Sequence, residues 1–140
     1  ETFIYPGKNR TIIEAGIAID PSLAFKGELK LGEVTWLQEN WFGEIVEKKL
    51  TINETTIQEK GNQFILSGTI NNANAIKLDQ VIIKAVLLNK DDLRQAASFT
   101  LIENLPAFGL RNFKINIPVS ITAARQIDPN KTKIIIESVR

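Results

Sequence analysis

Histidine, cysteine and methionine are all missing from this chain of 140 residues, and each absence closes off some chemistry. Without histidine there is no side chain that ordinarily titrates near neutral pH, and the commonest general base and metal ligand are gone. Without cysteine there are no disulfides, thiolate metal sites or thiol nucleophiles, and the redox compartment stays open. Triads of the Ser-His-Asp or Cys-His kind are therefore excluded, and no enzymatic activity is expected. The eight glycines never assemble into G-x-G-x-x-G or G-x-x-x-x-G-K, so a phosphate-cradling loop has no support and no cofactor is expected. No run approaches the roughly 18 apolar residues that a membrane-spanning helix needs.

Charge of one sign is also lacking. Seventeen basic and sixteen acidic residues leave a net charge of +1, and they are interspersed, which argues against a surface that tracks nucleic-acid phosphates. Because methionine is absent even from position 1, Glu1 reads as the start of a processed or engineered piece. If a signal peptide or N-terminal anchor helix preceded it, the chain is the extracytoplasmic part of a larger protein; an expression scar would leave the same terminus.

What is present is an apolar fraction of 44% and a charged fraction of 24%, the mixture of an ordinary globular protein. The length suits a single domain over 1–140 that buries its core without staples. Phe64, Leu66 and Ile70 share a face with Gly68, opposite Gln63, Ser67 and Thr69, which is the period-2 pattern of a half-buried strand. Asn71, Asn72, Ala73 and Asn74 then predict a turn. The run over 81–88 is β-branched and apolar on both faces except at Lys84, as in a central strand covered on two sides. Further strands are predicted over 97–103, with Phe99 and Leu101, over 113–117, with Phe113, Ile115 and Ile117 alternating, and over 134–139. Leu50, Ile52 and Ile57 add one more before them. An irregular or briefly helical stretch is expected over 120–127, and a turn at Asp128-Pro129-Asn130. No crossover helix separates these strands, so the pattern predicts an all-β antiparallel sandwich of immunoglobulin type over 50–140.

The first 49 residues form an N-terminal extension that is harder to read. Ile13, Ala15, Ile17 and Ile19 alternate like a strand, and Leu29 and Leu31 suggest another. Over 34–50, helical spacing of Val34, Leu37, Trp41 and Ile45 competes with two short strands. Gly43, which weakens a helix by about 1 kcal/mol relative to Ala, tips the reading towards strands.

Three segments resemble one known family. They are Leu66-Ser67-Gly68-Thr69-Ile70-Asn71-Asn72, the alternating run over 81–92, and Asn104-Leu105-Pro106-Ala107-Phe108 with the strand to Ile117. Together they are similar to the FxLYD-type domain, a small immunoglobulin-like sandwich of bacterial envelope proteins, although Leu87-Leu88-Asn89 replaces the family's aromatic and acid. The resemblance covers 64–117 and implies a secreted or membrane-tethered accessory module with no catalytic residues.

Candidate site residues are few. Trp36, Trp41 and Phe42 form the densest aromatic cluster; exposed, it would suit a protein partner, a sugar ring or a membrane interface, and buried, it would fill the core. Asp91 and Asp92 with Asn89 offer oxygens to a calcium ion, or simply make a turn, and no metal is expected there. The carboxylate pairs Glu44 and Glu47, and Glu54 and Glu59, are the remaining route to glycosidase-like acid–base chemistry and read as solvated surface. Sequons at Asn9, Asn53 and Asn130 read as accidental. The expectation is a non-catalytic protein-interaction or structural module, the ectodomain of a bacterial envelope protein. It would bind through Trp36, Trp41 and Phe42, or self-associate through an edge strand. The alternative is a carbohydrate-binding or carbohydrate-processing sandwich that uses those aromatics with Glu39, Glu44 or Glu47.

Overall fold

The computed structural model describes Ile13 and residues 49–139. Residues 49–139 form an all-β sandwich of two antiparallel sheets. The strands are β1 (Leu50–Glu59), β2 (Gln63–Asn72), β3 (Leu78–Leu88), β4 (Arg94–Leu105), β5 (Leu110–Pro118) and β6 (Lys133–Val139). A single helical turn, α1 (Ile121–Ala124), and a 3-10 turn (Pro129–Lys131) lie between the last two. One sheet has the order β1-β2-β5 and the other β4-β3-β6. The hairpins β1-β2 and β3-β4 each stay within one sheet, whereas the chain changes sheet after β2, after β4 and after β5.

Side-chain alternation explains how the layers close. Phe64, Leu66 and Ile70 of β2 and Phe113, Ile115 and Ile117 of β5 point inward, against Val81, Ile83, Ala85 and Leu87 of β3. Burying such side chains is the main favourable term in folding. On β1 the inward positions change parity, from Leu50 and Ile52 to Ile57. The register absorbs this: Asn53 pairs with Thr69 but Thr56 pairs with Ser67, so one extra residue sits on β1. Glu54 takes a left-handed backbone (φ 52°) at this bulge, which keeps Ile57 on the core side of an edge strand.

Gly68 lies opposite Phe113 in the register, and the aromatic ring covers it. A methyl group at 68 would meet Phe113 Cε1 and Cζ at 2.9 Å and Thr55 Cγ2 at 3.2 Å. Gly68→Ala is therefore expected to cost about 1–2 kcal/mol by overpacking, read as a lower urea midpoint at unchanged slope. An unchanged midpoint would mean that the ring swings aside freely.

Two sequence expectations shift here. The turn after β2 begins later than its asparagines predict, because Asn72 completes the inward series 64, 66, 68, 70 and is fully buried within the strand. Lys84, the polar exception in a run read as a strand covered on both faces, is itself buried. The readings at 15–19, Leu29 and Leu31, and nearly all of 34–50, lie outside the described residues.

Candidate functional site

Trp36, Trp41 and Phe42, with Glu39, Glu44 and Glu47, lie outside the described residues, as does Asn9. Glu54 and Glu59 are described: both are exposed on β1, Glu54 at the bulge. Asn53 and Asn130 are exposed too.

The Asn89-Asp92 loop is built as a turn. Asn89 Oδ1 accepts the backbone N–H groups of Asp91 (2.9 Å) and Leu93 (2.8 Å), and Asp92 takes φ 61°. The Lys131 ammonium donates to the Lys90 carbonyl at 2.6 Å and to Asp92 Oδ1 at 3.1 Å. A cation from the 3-10 turn thus already engages Asp92, one of the groups that sequence reasoning offered to calcium, and Asn89 Oδ1 is occupied by two backbone N–H groups. Among the described residues no group of three or more acidic side chains could hold a metal ion.

The most developed surface is at the end of the sandwich where β1, β3 and β5 begin and β2 and β4 end. Its organiser is the side chain of Asn72, which is 0% exposed. Asn72 Nδ2 donates to the Ile76 carbonyl at 2.9 Å and to the Pro106 carbonyl at 2.8 Å, so one nitrogen joins the β2-β3 loop to the β4-β5 loop. Asn72 Oδ1 accepts from the backbone N–H of Asn74 at 3.0 Å and from its Nδ2 at 2.7 Å. Asn74 carries the network outward. Its Oδ1 accepts from Lys49 N–H at 3.0 Å, and its carbonyl accepts from Phe108 N–H at 3.1 Å.

On this frame stand three exposed apolar side chains: Phe108 at 72%, Leu110 at 61% and Ile76 at 58%. Phe108 also has φ 51°, a left-handed conformation that costs a bulky L-residue about 1–2 kcal/mol. The turn from Pro106 to Gly109 enforces it. The Gly109 N–H closes on the Pro106 carbonyl at 3.1 Å, and a side chain at 109 would collide with the Pro106 ring. A strained, exposed aromatic held by an over-determined frame is the kind of outlier that marks a working surface.

Sequence reasoning placed strands on either side, over 97–103 and 113–117, and singled out no site between them. The signal was there: Asn72 continues the inward parity of β2, and Phe108 is an aromatic where turn chemistry asks for glycine or asparagine. No helix among the described residues is long and apolar enough to cross a membrane. Comparison of the chain with protein-family models, with curated proteins and with solved structures gives no match.

Proposed function

We propose that this chain is a non-catalytic interaction or structural module, an immunoglobulin-like sandwich of FxLYD kind from the outer compartment of a bacterial envelope protein. It works through the loop end that Asn72 organises. The strand order β1-β2-β5 against β4-β3-β6 supports the immunoglobulin-like part, since the chain crosses between layers as a Greek key does. The observation that carries the function is Phe108, exposed at 72% and held at φ 51°. Folding alone would favour glycine there. At the β1 edge, strand pairing is the weaker route to a partner, because the bulge and the exposed Glu54 blunt it.

Phe108→Gly separates binding from folding. Relief of the left-handed strain outweighs or matches the extra chain entropy of glycine, so stability is expected to hold or rise by up to about 1 kcal/mol. Capture of envelope components by the immobilised chain is expected to fall. Equal capture by both proteins would remove the loop end as the working surface.

A further inference from the structure

We infer that the loop end docks onto an anionic lipid bilayer, an inference that rests on the reading of this end as the working surface. The apolar groups Ile76, Phe108 and Leu110 come from separate segments and protrude, each more than half exposed. A protein partner would need a cavity shaped to receive them, whereas the interfacial region of a bilayer deforms around protruding groups. The aromatic ring can then sit between hydrocarbon and headgroup.

Charge at this end complements such a surface. Lys49 is exposed where β1 begins, Lys77 is exposed beside Ile76 in the β2-β3 loop, and Arg111 is exposed at the start of β5, on the face opposite Leu110. Over 49–50, 73–79 and 105–111 these three cations face one acid, Asp79, which Lys77 already holds at 3.2 Å. Among the described residues the next acid, Glu103, pairs with Gln80 further down the sheet. The frame is rigid as well: Asn72 and Asn74 fix both loops and the Lys49 backbone, so docking orders little new chain and keeps its cost low. Cations near an anionic membrane each add about fivefold to affinity, and burial of one phenylalanine adds about tenfold or more.

The test is cosedimentation of the full 140-residue chain with vesicles of phosphatidylcholine, alone and mixed with phosphatidylglycerol. The chain is expected to bind the mixed vesicles more tightly and to release as salt rises. Phe108→Gly is expected to lose about tenfold. Lys77→Gln and Arg111→Gln are each expected to lose about fivefold on the mixed vesicles and nothing on the neutral ones. Equal binding to both vesicles, or binding indifferent to Phe108→Gly, overturns the inference. If vesicles fail while a purified protein is captured in a Phe108-dependent way, the lipid is wrong and the module reading survives. If Phe108 matters in neither assay, both fall.

Discussion

Asn72→Ala is expected to lower the stability of the sandwich by about 3–4 kcal/mol, from four side-chain hydrogen bonds worth about 1 kcal/mol each. The loss is large because the site is fully buried and the partners belong to two different loops. With the amide gone, the Ile76 and Pro106 carbonyls have no donor at 72, and the Asn74 N–H has no acceptor there. Ile76 and Pro106 are themselves exposed residues, so water can rescue part of the deficit and the cost stays below a full desolvation penalty for each group. Asn72→Asp refines the test. It keeps the two accepted bonds but turns a second acceptor towards two carbonyls, so at neutral pH it is expected to be at least as damaging as alanine. Native-state hydrogen exchange supplies a local readout: the amides of Asn74 and Phe108 are expected to lose protection before the β2-β5 ladder does. A variant within 1 kcal/mol of the parent, with those amides still protected, would show that the loops hold their geometry unaided.

The same residue shows how much of this molecule could be read beforehand. Alternation along β2 and β5 located the inner faces correctly, because strand side chains repeat every two residues and a core must be dry on one side. β3 was located differently, from a β-branched run that is apolar on both faces, as a strand covered on two sides is. The parity change on β1 was visible in Leu50, Ile52 and Ile57, but only the pairing with β2 reveals the extra residue that explains it. Asn72 was read as a turn residue because propensity says that asparagine leaves strands. A buried amide with all its partners satisfied overrides that preference, and those partners, at Asn74, Ile76 and Pro106, are brought together by tertiary structure. Phe108 escaped for a related reason: a left-handed aromatic is improbable locally and is sustained by Gly109 packed against Pro106. The aromatic reading placed on Trp36, Trp41 and Phe42 concerns other residues, and the loop end offers a second surface built from the part of the chain that the strand pattern described best.

Lys84 leads to the remaining large effect. It sits on the face of β3 that turns away from the core shared by the two sheets, between Phe99 of β4 and Ile135 of β6 in the register. Its side chain is nevertheless only 7% exposed, and its ammonium lies 2.7 Å from Glu137 Oε1, whose side chain is 19% exposed. Ile82 pairs with Glu137 while Lys84 pairs with Ile135, so lysine and glutamate are diagonal neighbours, close enough for long side chains to meet. A pair this dry returns little net stability, since desolvation offsets most of the attraction, but removing one partner strands the other. Lys84→Met keeps the apolar stem and deletes the charge. It is expected to cost about 3 kcal/mol, the lower part of the range for broken buried pairs, because Glu137 is partly solvated and makes further contacts. Replacing both, as Lys84→Met with Glu137→Leu, is expected to recover to within about 1 kcal/mol of the parent, because two apolar groups of similar size need no compensation for each other; the remainder is the further contacts that both side chains lose. Glu137→Leu, which takes the carboxylate from the more buried ammonium, is expected to cost at least about 3 kcal/mol as well, so the coupling in this double-mutant cycle, read from urea midpoints, is about 5 kcal/mol. Raising the ionic strength should leave it nearly unchanged, as ions cannot enter to screen a buried pair. Additive losses, with the double variant worse than either single one, would mean that the two charges stabilise the fold separately.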